Sequence, residues 1–126
     1  MIENRISDRA KILLIDEDTS ISYLIRRAME KENYKIYIAG SGKQGMEMST
    51  GVCPDLILMD IKMPNLDGLE ATKIIRELSH TVPIIAQSAY AYQQDQIAAM
   101  DAGCSDFIAK PISQAKLKDM INKWLP

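Results

Sequence analysis

Cysteine is scarce in this chain. Two occur in 126 residues, Cys53 and Cys104, far apart and in no metal-ligand spacing. That excludes a disulfide-stapled scaffold and a zinc module, and leaves two free thiols of the kind found in a reducing, cytoplasmic setting. Long apolar runs are missing as well. None approaches the roughly 20 residues that span a bilayer, and Met1–Lys11 has no apolar segment of the signal-peptide kind. Nor is there an excess of one charge. With 15 Lys and Arg against 17 Asp and Glu, the formal net charge is −2, so no broad basic field exists to hold nucleic acid or an anionic membrane. Repeats, low-complexity tracts and Gly/Ser/Pro-rich linkers are absent too. The single histidine, His80, sits in the polar turn Ser79-His80-Thr81 and is assigned no role. The eight methionines fall at core spacings and not in a soft-metal cluster.

What is present is the balance of one ordinary domain, with 47% hydrophobic and 25% charged residues. A chain of this length should bury roughly two-thirds of its unfolded surface, enough for one core. Short apolar runs alternate with helical patterns after a polar stretch, Met1–Arg9. Ile12–Ile15 and Leu56–Met59 are continuous and apolar, as strands covered on both faces should be. Lys35–Ile38 alternates, which suits an edge strand; Pro83–Ala86 and Phe107–Ala109 complete a set of five. Between them fall helical stripes: Ile21, Leu24, Ile25, Ala28 and Met29, with Thr19 or Ser20 to cap; Lys43–Thr50, ended by Gly51; and Ala71, Ile74, Ile75 and Leu78. A polar helix over Gln93–Ala102 and a stripe of Leu117, Met120, Ile121, Trp124 and Leu125 follow. Strict alternation of strand and helix predicts an α/β fold, a doubly wound five-stranded parallel sheet.

In such sheets ligands bind beyond the carboxyl ends of the strands. The first strand ends in Asp16-Glu17-Asp18, the third in Asp60, the fourth leads through Gln87 to Ser88, and the fifth ends in Lys110-Pro111. Carboxylates, a hydroxyl and an ammonium therefore converge on one edge. Two carboxylates about 4 Å apart repel by about 4 kcal/mol at an effective dielectric near 20. A proton or a cation must sit among them. A hard divalent ion, Mg²⁺ foremost, answers that need with few carboxylates and several waters. Together with Lys110 it would draw in a phosphoryl group, for which a carboxylate is a competent nucleophile.

The order Ile15-Asp16-Glu17-Asp18, then Leu56-Ile57-Leu58-Met59-Asp60-Ile61-Lys62-Met63-Pro64-Asn65-Leu66-Asp67-Gly68, then Ser88-Ala89, then Lys110-Pro111 resembles the receiver domain of two-component response regulators. The likeness runs from about Lys11 to Leu125, and the stretch Pro83–Pro111 is most similar to receivers attached to hybrid sensor histidine kinases. It implies a flavodoxin-like (βα)5 domain over residues 10–126, behind a tail of residues 1–9, with strand order 2-1-3-4-5. It implies Asp60 as phospho-acceptor, with Mg²⁺ held by Glu17, Asp60 and the backbone carbonyl of Lys62, and Asp16 acting through water. Ser88 and Phe107 take the places of the switch hydroxyl and switch aromatic, and Lys110 that of the site lysine, before a cis peptide to Pro111. The second acid of the pair is usually Asp, and here it is Glu17, one methylene longer.

The function so implied is a phosphorelay switch and not an enzyme in the ordinary sense. The phosphoryl group comes from the phosphohistidine of a histidine kinase or a histidine phosphotransfer protein. Phosphorylation then reshapes a partner face over Ala89–Ala99 and Phe107–Leu117, with Tyr90 and Tyr92 as candidate surface residues. A monomer or weak dimer is expected, cytoplasmic, with a fusion to a kinase or output domain present or lost, and with no nucleic acid or membrane as partner. Two other readings compete. Asp16-Glu17-Asp18-Thr19 resembles the nucleophile loop of haloacid-dehalogenase-type phosphatases, with Asp16 as nucleophile, but leaves the Met59–Gly68 block unexplained. A binding module that works without phosphorylation would not need Asp60, Ser88 and Lys110 together.

Overall fold

Residues with continuous apolar character pair side by side, and those with a three-to-four-residue stripe lie across them. The structure, a computed structural model, describes residues 10–62, 68–79, 81–89 and 93–125. In chain order its elements are β1 (Lys11–Ile15), α1 (Thr19–Glu30), β2 (Lys35–Ala39), α2 (Gly42–Val52), β3 (Leu56–Asp60), α3 (Gly68–Leu78), β4 (Ile84–Ser88), α4 (Gln93–Ala102), β5 (Asp106–Ala109) and α5 (Gln114–Trp124). The strands form one parallel sheet in the order β2-β1-β3-β4-β5. This is the expected doubly wound α/β topology, with the alternating strand β2 at an edge.

Alternation along each strand separates two cores. Leu13, Ile15, Ile57, Met59, Ile84 and Ala86 face α2, α3 and α4, where Ala71, Ile75 and Ala99 meet them. Ile12, Leu14, Leu56, Leu58 and Ile85 face the other way, toward Met29 of α1 and Leu117 and Ile121 of α5. The central strands β3 and β4 are buried along their whole length, which is why they read as unbroken apolar runs.

Helix ends depart from the expectation in two places. Neither Thr19 nor Ser20 caps α1. Asp18 holds the N-cap position without a side-chain bond, because the first turn is organised from Asp16, whose Oδ1 accepts the Asp18 N–H at 2.9 Å. In α2, Ser41 Oγ accepts the Gln44 N–H, and the helix runs through Gly51 to Val52. It stops at Cys53, which takes the left-handed conformation at φ 56° that glycine was expected to supply. The apolar stripe of α1 is also only partly inward: Met29 is buried, whereas Ile21 and Leu24 are 45% and 66% exposed.

Two close approaches fix the helices on the sheet. A Cβ at Gly68 would collide with the Asp60 carbonyl oxygen and lie 2.5 Å from Ile61 Cα, so α3 starts hard against the end of β3. At the opposite pole, Arg76 of α3 donates to the carbonyls of Gly103, Ser79 and Val82, at 2.7–3.1 Å, joining three segments. Both cysteines are free, Cys53 exposed and Cys104 buried. Among the described residues no helix is long and apolar enough to cross a membrane. The expected tail Met1–Arg9, the segment Met63–Asp67, His80, Tyr90, Tyr92 and Pro126 lie outside the described residues.

Candidate functional site

The register of the sheet lines up a polar row. Asp60, the last residue of β3, pairs with Gln87 of β4. Ile15 pairs with Met59, so Asp16, one residue past β1, stands beside Asp60. Odd–even alternation puts Asp16, Asp60 and Gln87 on the α1/α5 side of the sheet. All three are buried, and so is Ser88.

Lys110 closes the row. It follows β5, and its backbone N–H donates to the Ser88 carbonyl at 2.9 Å. Its peptide bond to Pro111 is cis, as the resemblance implied. The ammonium donates to Asp16 Oδ2 at 2.9 Å and to Asp60 Oδ2 at 3.0 Å. Asp60 Oδ1 accepts the Lys62 backbone N–H at 3.0 Å, and Gln87 Nε2 donates to Asp16 Oδ2 at 3.3 Å. One ammonium thus faces two buried carboxylates.

Burial pushes the Asp60 carboxyl above its ordinary range, against the Lys62 N–H and the Lys110 ammonium, which favour the anion; the charge of Asp16 pushes the same way as burial. A carboxylate held in this way keeps its basicity and hence its nucleophilicity. For Lys110, desolvation works against the charged form. The hydrogen bonds and charges of Asp16 and Asp60 outweigh it and raise the ammonium above its usual value.

Other predicted residues stand further out. Glu17, one residue past Asp16, is exposed. Lys62 is exposed too, with Nζ 3.2 Å from Asp95 Oδ1 of α4. Ser88 ends β4 on the α2/α3/α4 side of the sheet. Phe107 lies on that side as well: it pairs with Ala86, two residues before Ser88, and packs half-buried on the core there. Two residues escaped the sequence reading, Gln87 as a partner of Asp16 and Asp95 as a partner of Lys62. The first has a sequence signal, a carboxamide directly after the apolar run Ile84-Ile85-Ala86. The second has none.

The donor set can be tested against a divalent cation. Among the described residues no three His, Cys, Asp or Glu side chains gather as a ready ligand group. Mg²⁺, however, needs only one or two carboxylates and keeps its waters. Asp16 and Asp60 provide two, all donors are oxygen, and beside them Gln87 Oε1 is buried without a partner among the described residues. The residues fit a hydrated hard cation.

Residues 12–122 match the model of the response regulator receiver domain family. Sporulation initiation phosphotransferase F of Bacillus subtilis is 30% identical over 116 residues, covering 92% of this chain and 94% of that protein. Response regulator ArlR of Staphylococcus saprophyticus is 36% identical over 115 residues, 91% of this chain but 52% of its own length, so the chain spans about half of that relative. Hybrid signal transduction histidine kinase I of Dictyostelium discoideum is 36% identical over 121 residues, 89% of this chain and 7% of that protein. Among solved structures, the chemotaxis protein CheY4 of Vibrio cholerae superposes with a TM-score of 0.87 at 22% identity, covering 93% of this chain and 99% of that one.

Proposed function

Because the chain belongs to the response regulator receiver family of two-component systems, we propose that it accepts a phosphoryl group on Asp60 and switches a partner-binding face in response. The observation that carries this reading is the Lys110 ammonium set between two buried carboxylates, 2.9 Å from Asp16 and 3.0 Å from Asp60. An Asp60 oxygen attacks phosphorus, and the phosphorus–nitrogen bond of a donor phosphohistidine breaks with its electron pair returning to the imidazole. Lys110 then has a phosphoryl oxygen to hold in place of a carboxylate oxygen. Asp16 and Asp60 would hold Mg²⁺, with Glu17 and the Lys62 carbonyl as the further oxygen donors that the family likeness implies, and the ion when bound would neutralise charge developing on the transferred group. The donor is a histidine kinase or a histidine phosphotransfer protein, and the setting cytoplasmic.

Ser88 and Phe107 carry the switch. Ser88 bonds to the new phosphoryl oxygens, and Phe107, on the same side of the sheet, turns into the space it leaves. Moving a two-state equilibrium from 1:99 to 99:1 takes about 5.5 kcal/mol. Hydrogen bonds to a charged group contribute about 1.5–3 kcal/mol each, so about two to four are needed. An amide spectrum of Ser88→Ala that changes on phosphorylation as much as that of wild type would sink this coupling.

Acetyl phosphate and Mg²⁺, followed by intact mass at short times, test the acceptor. One added phosphoryl group, lost in Asp60→Asn, is the expected outcome. Labelling that survives Asp60→Asn and disappears in Asp16→Asn would instead favour the haloacid-dehalogenase-type reading. No labelling of any variant, with partner binding intact, would favour a phosphorylation-independent module.

A further inference from the structure

A cavity of about 270 Å³ lies between α1 and the turn after β5; its walls are largely apolar, and Gln87 lines its polar part with Asp16, Asp18, Ser22 and Lys110, while Asp60 is reached through Lys110. Gln87 is 3% exposed. Half of its carboxamide is used, Nε2 on Asp16 Oδ2; Oε1 has no partner among the described residues. Turning the amide over would set oxygen against the carboxylate oxygen of Asp16, so the orientation follows from the neighbour. The other acceptors of the row are served: Asp16 by Asp18, Gln87 and Lys110, and Asp60 by Lys62 and Lys110. A buried acceptor left alone is unfavourable. Leucine or valine at position 87 would continue the run Ile84-Ile85-Ala86 without that defect.

We infer that Gln87 is a positioning residue for the hydrated cation, holding Asp16 through Nε2 and accepting a hydrogen bond from a cation-bound water at Oε1. The group that completes Oε1 must be a donor, small enough for the cavity and drawn to a site with two carboxylates and one ammonium. A water in the shell of a divalent cation meets all three demands, since Mg²⁺ keeps most of its waters and those waters are strong donors. Partners of this outer kind orient the ligating carboxylates, and losing one typically weakens metal binding by about 10–100-fold. This inference rests on the assignment of Asp16 and Asp60 as the carboxylates that hold the cation.

The test is a Mg²⁺ titration of the unphosphorylated protein, read by calorimetry and by the amide signals of the site, for wild type, Gln87→Leu and Gln87→Glu. Gln87→Leu should stay folded, with no loss of thermal stability in the absence of Mg²⁺, and should bind Mg²⁺ about tenfold more weakly. Gln87→Glu, which keeps an acceptor at Oε1 but gives up the Nε2 bond to Asp16, should lose less Mg²⁺ affinity than Gln87→Leu. Binding by Gln87→Leu within about twofold of wild type overturns the role, as does an equal loss in both variants, the mark of a merely structural residue. If wild type itself binds no Mg²⁺ at millimolar concentrations, the cation assignment falls and this inference with it. Labelling of Asp60 would still be judged separately by mass.

Discussion

The Lys62 ammonium lies 3.2 Å from the Asp95 carboxylate. It ties the residue two past Asp60 to the first turn of α4, while its own backbone N–H holds Asp60 Oδ1. The lysine side chain is about half exposed, so the pair works in a largely aqueous dielectric. Lys62→Ala should therefore change the unfolding free energy by less than about 1 kcal/mol in a urea titration, and less still at high salt. A larger loss would mean that the pair anchors α4.

Arg76 should matter far more. Its guanidinium donates to three backbone carbonyls, two in the α3–β4 connection and one after α4, and a shorter side chain leaves those half-buried acceptors with fewer donors. Arg76→Ala is expected to cost about 2–4 kcal/mol. Arg76→Lys should recover only part of this, because an ammonium cannot fork between Gly103 and Val82. Denaturant titrations of the two variants decide it.

Glycine substitutions should split in sign. Gly68→Ala places a Cβ against the backbone of Asp60 and Ile61, which no rotamer relieves, and should destabilise by at least about 2 kcal/mol. Gly51→Ala adds a Cβ within helix α2 with nothing within 4 Å of it; it should stabilise by about 0.5–1 kcal/mol. Thermal melts of both, side by side, check the contrast.

The pH dependence of stability should carry two opposite carboxylate contributions. Burial raises Asp60 in the folded state. Its contribution is fully present below the ordinary carboxylate pKa and is lost as pH rises through the raised folded value. Asp60→Asn should therefore be more stable than wild type near neutrality, and the difference should vanish in acid. Burial also acts to raise Asp106, but Lys123 at 2.7 Å, the Phe107 N–H and the Trp124 indole outweigh it and hold this carboxyl low. Its contribution is present above the ordinary value and is lost as pH falls through the folded one. Asp106→Asn should flatten the acid limb of a stability profile measured in urea.

The apolar runs of β1, β3 and β4 made the sheet legible, because burial on both faces leaves no other composition open. Strand order came with the resemblance and not with periodicity. Helix ends were less legible: Gly51 looked like a stop, yet the left-handed position fell two residues on, at Cys53. Ile21 and Leu24 matched a helical stripe but lie outward on α1. Of the site, Asp16, Asp60, Ser88 and Lys110 could be placed from strand ends alone, since parallel strands bring those ends together. The partnerships Gln87–Asp16 and Lys62–Asp95 depend on register and on the course of a helix far along the chain, and neither follows from spacing.

The contact at Gly68 gives the molecule a reporter. With no side chain between them, the start of α3 rests on the carbonyl of Asp60, so any shift of that backbone alters the magnetic surroundings of residue 68. One glycine amide resonance, in a part of the nitrogen dimension that few other residues occupy, can therefore read the chemical state of a carboxylate eight positions earlier.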